Sequence, residues 1–346
     1  MTYLAYLAYL TTVKYIIFLI SVMIAAGIIK EHNLFLSLFI LIINKVKSKR
    51  AVVFLISLFS GVLPIPGRVL VSAGILDSLA PKVEDNPKSR SKFGIIDYLA
   101  THHYYLWSPL EKTVIVPMAA AGISYGAFIG YMWPLLLITI VYILYYIFIV
   151  LKEDDIILDI DYESFILKDF IFGVLPLFLG IFGIAFGIGP WFIFPIVMIY
   201  YSFYTKTSPK KWLTYINWHL VLLLIVIISL SVFIGTHSAL FEQLLQESTL
   251  GINYAFYLAS LGAFAASWIM GSSGRYAGIA AIMITMFGVE YLVWFLTIEF
   301  IAYNLSPTHK CIHIGRMYFQ TSFLEYFKAI SIWLLLLLIY AIFSII

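Results

Sequence analysis

The residues best suited to chemistry lie in two short interruptions of apolar sequence. GVLPIPGRVL (61–70) and MGSSGRYAGI (270–279) each contain a Gly-Arg pair. An arginine within an apolar segment costs about 2.5–3.5 kcal/mol to insert into a membrane and generally marks a functional site. The free N–H groups at a helix N-terminus also attract anions. These features predict an anion-binding site in which Arg68 and Arg275 supply the positive charge.

The predicted anion site consists of the proline, glycine, serine and arginine residues at these interruptions. Glycine lets a ligand approach the backbone closely, and proline ends the incoming helix. The candidate substrate-binding residues are Pro66, Gly67, Arg68, Ser72, Gly271, Ser272, Ser273, Gly274 and Arg275. A structural role is the alternative: each arginine would pair with an internal acid, such as Asp77 for Arg68, or extend to the membrane interface.

Two Ser-Pro pairs form a second set of interruptions, in SPLEK (108–112) and SPTHK (306–310). Each proline removes a backbone donor and frees a carbonyl oxygen one turn earlier. Such carbonyl groups, with nearby hydroxyl and amide oxygens, bind Na⁺ in transporters, and titratable groups carry H⁺. The candidate coupling-ion residues are Ser108, Glu111, Asn304, Ser306, Thr308 and His309. Glu299 is a further proton candidate, whereas any single hydroxyl can instead bond its own helix backbone.

A metal site is the weaker interpretation of the histidines. His309 and His313 are four residues apart and share a helix face, but Cys311 projects elsewhere and no acidic partner is evident. His102 and His103 precede two tyrosines and indicate a polar, aromatic patch. We therefore expect no metal, no catalytic residues and no cofactor beyond a coupling Na⁺ or H⁺, and we do not expect an enzyme.

The composition determines what must position these residues. Of 346 residues, 63% are hydrophobic and 11% are charged, and the mean hydropathy is +1.00. Soluble domains carry about 25% charged residues. The chain is therefore expected to be an all-α polytopic membrane protein whose first apolar run is a retained span. The net charge of +3 does not suggest nucleic-acid binding.

Basic clusters predict the orientation, because Lys and Arg near span ends stay cytoplasmic. The clusters at 45–50, 81–93 and 206–211 are expected inside, and the loop at 236–249, which lacks Lys and Arg, outside. Because two inside clusters flank 51–80, that segment must enter and return on one side. We predict an integral protein of the cell (inner or plasma) membrane, with a cytoplasmic N-terminus and an external C-terminus.

The two Gly-Arg pairs and the two Ser-Pro pairs recur in the same order, at offsets of 207 and 198 residues. This recurrence predicts two inverted-topology repeats, each with a re-entrant helical hairpin and a discontinuous transmembrane helix. Repeat 1 covers 1–151 (hairpin 51–80, broken helix 94–130), and inverted repeat 2 covers 190–346 (hairpin 251–288, broken helix 291–320). An acidic cytoplasmic connector and a linking helix occupy 152–189.

The chain resembles the ion transporter superfamily, which includes divalent anion–sodium symporters and arsenite-type permeases. Within it, FSGVLPIPGRVLVSAGILD, IDYLATHHYYLWSPLEK and YNLSPTHKCIHIGRMYF are similar to segments of an uncharacterised permease-like family of about ten predicted spans. The resemblance implies a secondary transporter with its substrate between two hairpin tips. The Ser-Asn-Thr tip signature of the sodium–dicarboxylate branch is replaced here by Pro-Gly-Arg and Ser-Ser-Gly-Arg.

The sequence therefore predicts an ion-coupled permease for a small anionic solute, bound at mid-membrane between the hairpin tips. The remaining helices would form a scaffold that also allows a homodimer. One alternative is a membrane-embedded metal-dependent enzyme using His309, His313 and Glu299, or His102 and His103. The other alternative is a non-transporting scaffold or receptor subunit that retains a transporter fold.

Overall fold

The computed structural model describes residues 3–62, 68–82, 86–157, 167–236, 251–271 and 273–345. Within these ranges the regular structure is helical, and no strand is formed. The helices of the first half are α1 (Tyr3–Glu31), α2 (Leu36–Lys45), α3 (Lys49–Val62), α4 (Arg68–Leu79), α5 (Pro87–His102), α6 (Lys112–Ala121) and α7 (Tyr125–Tyr145).

The linking segment contains α8 (Leu167–Gly173) and α9 (Leu175–Ala185). The helices of the second half are α10 (Pro190–Tyr204), α11 (Pro209–Tyr215), α12 (Trp218–Thr236), α13 (Gly251–Met270), α14 (Ser273–Phe287), α15 (Leu292–Leu305), α16 (Lys310–Phe319) and α17 (Phe323–Phe343). Short turns of 3₁₀ helix precede α15 and follow α5, and a π-helical turn extends α7 to Val150.

Four helical segments of the described chain are long and apolar enough to cross a membrane: Thr12–Glu31, Tyr125–Val150, Leu167–Ala185 and Phe323–Phe343. The bent pair α11–α12 adds a fifth. Their outer faces expose large apolar side chains such as Ile149 and Leu179, as a lipid-facing surface requires. The expectation of a helical chain with several segments suited to a membrane is confirmed at this level.

The ends of the two halves have the same element lengths at a constant offset of 198 residues. Helices α6 and α16 are both 10 residues long, beginning at Lys112 and Lys310. Helices α7 and α17 are both 21 residues long, beginning at Tyr125 and Phe323. Four helix boundaries therefore coincide in register, which the dipeptide matches alone did not establish.

The caps between these helices are also equivalent. Gly122 (φ 64°) and Gln320 (φ 54°) end α6 and α16 in the left-handed conformation. The side chains of Ser124 and Ser322 then cap α7 and α17 by accepting a backbone N–H three residues later. Gly122 therefore separates α6 from α7, which begins at Tyr125, inside the segment 94–130 predicted as one broken helix.

Helices α7 and α17 pack against each other in opposite directions. Tyr142 donates a hydrogen bond to the carbonyl oxygen of Ala329, and Trp333 donates to the hydroxyl of Thr139 at 3.0 Å. As the residue number rises along α17, its partner number falls along α7. Two helices that occupy equivalent places in the chain are thus antiparallel.

Each half also packs onto the other in a reciprocal way. Helix α4 packs against α16, and α14 packs against α6. In the first half, α3 packs on α4, and both helices pack on α5. In the second half, α13 packs on α14, and both helices pack on α15. The core is formed where these elements meet.

The basic segments and the start of the connector lie on one face of the bundle. Lys49 Nζ donates to the carbonyl oxygen of Ile156 at 3.0 Å. Asp155 accepts hydrogen bonds from Ser89 Oγ at 2.5 Å and from Lys92 Nζ at 2.9 Å. The predicted cytoplasmic segments 45–50, 81–93 and 152–165 are therefore in contact where the structure describes them.

The end of α1 contacts the third basic segment, 206–211, and the helix that follows it. Glu31 accepts hydrogen bonds from Lys211 and from Tyr215 Oη.

Helix α2 has 10 residues and is about 15 Å long, half of the roughly 30 Å hydrocarbon core. It is too short to cross a membrane alone.

Candidate functional site

The first break separates α5 from α6. A 3₁₀ turn over His103–Leu106 replaces the α-helix, and Ser108 N donates to the carbonyl oxygen of Tyr104 at 2.8 Å. Pro109 cannot donate to the carbonyl oxygen of Tyr105, and Thr113 Oγ1 donates to it instead at 2.8 Å. The carbonyl group freed by the proline is thus satisfied by a hydroxyl group.

The second break, between α15 and α16, has the same construction. Pro307 frees the carbonyl oxygen of Tyr303, which faces Ser306 N at 3.2 Å and His309 Nδ1 at 3.1 Å. Thr308 N donates to Ser306 Oγ at 3.3 Å, matching the 3.4 Å bond from Leu110 N to Ser108 Oγ. The two breaks thus share the serine-centred turn and the carbonyl group freed by proline, while the helix before the second break stays α-helical as far as Leu305.

The two breaks meet in the interior. The hydroxyl groups of Tyr105 and Tyr303, which are 198 residues apart, lie 3.4 Å from each other. The Nε2 atoms of His102 and His309 are 3.0 Å apart. All four side chains are at least nine-tenths buried. Polar groups from both halves therefore share one buried cluster.

A hydrogen-bond chain orients this cluster. Tyr98 Oη donates to Asn304 Oδ1 at 2.7 Å and lies 3.2 Å from His309 Nδ1. Asn304 Nδ2 donates to the carbonyl oxygen of Phe300 at 2.6 Å, which directs Oδ1 toward Tyr98. His102 Nδ1 lies 2.6 Å from the carbonyl oxygen of Tyr98. The polar atoms are held on two broken helices rather than on mobile loops.

The second interruption contacts the second break. Gly271 has φ +52°, and a Cβ atom there would lie 2.1 Å from Thr308 Oγ1 and 2.8 Å from Ser306 Oγ. Thr308 Oγ1 also donates to the carbonyl oxygen of Ile269 at 3.4 Å, and lies 2.9 Å from Ser306 Oγ. One predicted substrate residue and two predicted coupling-ion residues are thus adjacent.

Other predicted residues lie apart from that contact. Ser108 and Ser72 are both buried. Glu111 precedes α6 and is partly buried. His313 is exposed, with Nε2 3.0 Å from the carbonyl oxygen of Pro307.

Most of the predicted anion site lies outside the described residues. Pro66, Gly67 and Ser272 fall in the undescribed segments, and the side chains of Arg68, Ser273 and Arg275 are likewise not described, nor are the surroundings of Gly274. Asp77, the acid considered as a partner for Arg68, forms an ion pair with Arg90 on α5.

Several buried polar residues were missed by the sequence interpretation. Asp97 and Tyr98 received no role, and His102 was assigned to a patch. Glu299, a proton candidate, is fully buried and accepts a hydrogen bond from Ser267 Oγ at 3.4 Å. Tyr105 and Tyr303 are separated by 198 residues, as the two Ser-Pro pairs are. This recurrence was the sequence pattern that could have predicted the buried cluster.

An apolar cavity of about 590 Å³ opens beside the first break. Pro109 and Tyr125 line one side, and Lys14 and Trp191 line another. The ammonium group of Lys14 lies 5.1 Å from the centre of the Trp191 ring. The cavity provides space next to a helix break, with one cation among its walls.

No protein-family model matches this chain, and no curated protein matches it. The resemblance to the ion transporter superfamily therefore remains a prediction that rests on the quoted segments.

Proposed function

We propose that this chain is an ion-coupled secondary transporter, or permease, for a small anionic solute. The observation that carries the proposal is the meeting of two equivalent helix breaks, 198 residues apart, inside the core. In secondary transporters built from inverted repeats, substrate and coupling ion bind where discontinuous helices from the two halves meet. Irregular backbone at membrane depth is tolerated only where protein buries it or where it lines a cavity.

The proposal includes an inverted repeat. Its support is the constant register of α6 with α16 and of α7 with α17, together with the antiparallel packing of α7 on α17. A two-fold axis lying in the membrane plane relates helices in this manner. Tyr105 and Tyr303, equivalent residues in mutual contact, would lie near that axis.

The proposal also includes two re-entrant hairpins, α3–α4 and α13–α14. Its support is that the arms of each pair pack together, and that α4 and α14 begin directly at the predicted tips. The first N–H groups of α4 and α14 have no partner within their own helices. With the guanidinium groups of Arg68 and Arg275, they would bind the anion.

A proton is the coupling ion that the buried acids favour. Asp97 and Glu299 are 1% and 0% exposed. An ionised carboxylate surrounded by protein in a membrane is costly, so a group of this kind carries a proton in at least one state of a transport cycle. Both acids lie on the first helices of the broken pairs, α5 and α15.

The contacts favour an external N-terminus, opposite to the orientation expected from sequence. If the basic segment 206–211 is cytoplasmic, Glu31 at the end of α1 is cytoplasmic as well. Helix α2 then runs along that face, and α1 begins outside. Thr321 Oγ1 donates to the carbonyl oxygen of Ser91 at 3.1 Å, so α17 starts on the cytoplasmic face and ends outside.

A binding and flux experiment tests the function. Purified protein is screened by thermal shift with carboxylates, amino acids and oxyanions at varied Na⁺ and pH, and each stabilising anion is then tested for uptake into proteoliposomes. We expect saturable uptake driven by a proton gradient, and at least a tenfold loss in Arg68→Ala and in Arg275→Ala. The exposed Lys210→Ala variant is the matched control. Undiminished uptake in both arginine variants contradicts the anion site, and binding without flux supports the receptor alternative.

A further inference from the structure

We infer that His102, His309 and Cys311 form a binding site for a borderline or soft transition-metal ion, with Zn²⁺ as the representative ligand. One ring nitrogen of each histidine and Sγ of Cys311 all lie within 4.8 Å of one another, and the two Nε2 atoms are 3.0 Å apart. The residues come from both broken helices, since His102 ends α5 while His309 and Cys311 begin α16. The site goes beyond the proposed transport function and does not depend on it.

The hydrogen bonds of the imidazole rings determine which nitrogen atoms carry hydrogen. His102 Nδ1 faces the carbonyl oxygen of Tyr98 at 2.6 Å, and a carbonyl group only accepts, so Nδ1 donates. His309 Nδ1 faces the carbonyl oxygen of Tyr303 at 3.1 Å. Its other neighbour, Tyr98 Oη, already donates to Asn304, so His309 Nδ1 donates as well.

The contact between the rings is therefore one between two acceptors. In the neutral rings neither Nε2 atom has a hydrogen to contribute, although the atoms are 3.0 Å apart. Two lone pairs at this distance repel each other, and a bound cation beside them would remove the repulsion. Donation of Nδ1–H to a backbone carbonyl group, with Nε2 directed at the ion, is also the usual arrangement of metal-binding histidines.

The distances suit a metal ion. Two nitrogen ligands bound to zinc at about 2.0–2.1 Å in tetrahedral geometry are about 3.3 Å apart, close to the observed 3.0 Å. A thiolate at 2.3 Å from the same ion would lie about 3.6 Å from each nitrogen. Because the observed separations are no longer than 4.8 Å, the partly buried Cys311 side chain would need to approach the nitrogen atoms by no more than about 1.2 Å.

The donor set selects the class of ion. Two imidazole nitrogens and one thiolate favour Zn²⁺ or Cu⁺ over Mg²⁺ and Ca²⁺, which prefer oxygen. Three protein ligands leave a fourth position for water or another group. Because the ligands belong to both halves, a bound ion would link α5 to α16 and restrain their relative movement.

The test uses the full-length protein, purified through an affinity tag without histidine and loaded with one equivalent of Zn²⁺ before desalting. We expect about one zinc per chain by elemental analysis, and a tenfold or greater loss of affinity in Cys311→Ser and in His309→Gln. The control is His313→Gln, which removes an exposed histidine of the same helix and should bind as the wild type does.

Cobalt provides a readout that a merely structural role would not change. Cys311 is the single cysteine of the chain, so a thiolate-to-Co²⁺ charge-transfer band in wild type that disappears in Cys311→Ser identifies the ligand. A melting temperature of metal-free Cys311→Ser near that of wild type confirms folding. If the wild-type protein binds no metal, the two imidazoles share only a proton. If the charge-transfer band is retained in Cys311→Ser, Cys311 is not a metal ligand. Either result overturns the proposal.

Discussion

Gly271 is the residue at which the second interruption contacts the second break. Its positive φ and its approach to Thr308 and Ser306 both exclude a side chain. We expect Gly271→Ala to destabilise the protein by about 1–3 kcal/mol, since strain and a steric clash combine. The measurement is the thermal unfolding of purified protein, with uptake measured in parallel.

Gly262 on α13 is the matched control for that substitution. A Cβ atom at Gly262 meets nothing within 4 Å, and alanine is favoured over glycine within a helix by roughly 0.5–1 kcal/mol. Gly262→Ala should therefore be neutral or slightly stabilising. Equal effects of the two substitutions would show that the close approach at Gly271 has no energetic importance.

At the scale of elements, Asp155 fastens the connector to the start of α5. Burial alone would raise the pKa of this carboxyl group, but hydrogen bonds from Ser89, Lys92 and the Lys152 amide together lower the pKa below its ordinary value of 3.8. A carboxyl group with a lowered pKa in the folded state stabilises the protein above the unfolded-state pKa. The contribution is lost as the pH falls through the folded-state value.

We expect Asp155→Asn to lower stability at neutral pH by about 1–3 kcal/mol, because a buried charged acceptor is replaced by a neutral one. The difference from wild type should shrink as the pH falls below 3.8. Thermal unfolding between pH 7 and 3 measures it. The control is Asp154→Asn, at an exposed neighbouring residue, which should show little effect. If the stability difference between wild type and Asp155→Asn does not change with pH, the electrostatic explanation is contradicted.

At the scale of the whole molecule, the contacts lead to one prediction about orientation. With the basic face inside, both termini lie outside the membrane and the loop at 206–211 lies inside. Single cysteines introduced in a Cys311→Ser background report this directly. In intact cells, a membrane-impermeant maleimide should label Ser344→Cys and a cysteine added before Met1, but should label Lys210→Cys only after lysis. Protection of the N-terminal cysteine would restore the cytoplasmic N-terminus expected from sequence.

The same bundle explains how the halves communicate. Helix α4 rests on α16, and α14 rests on α6, so each of these helices touches the helix that follows the Ser-Pro break of the other half. The buried cluster of His102, His309, Tyr105 and Tyr303 lies between the breaks. Movement of α4 or of α14 would therefore alter contacts at the breaks.

The sequence by itself determined the class of the fold and the places where helices stop. Apolar composition requires helices in a membrane, because every backbone group must be bonded internally. Pro109 and Pro307 interrupt helices because they lack an N–H group, and the structure breaks α5–α6 and α15–α16 at these residues. These effects are local, so they can be read from the order of residues.

Only the tertiary structure decided which side chains meet. His102 and His309 are 207 residues apart, and the sequence paired His309 with His313, which shares its helix face but points to the surface. Likewise, the contact of Glu31 with Lys211 joins the end of α1 to the basic segment 206–211, and no local sequence pattern indicated that contact. Contacts between distant segments depend on how helices pack, and that depends on side chains from the entire bundle at once.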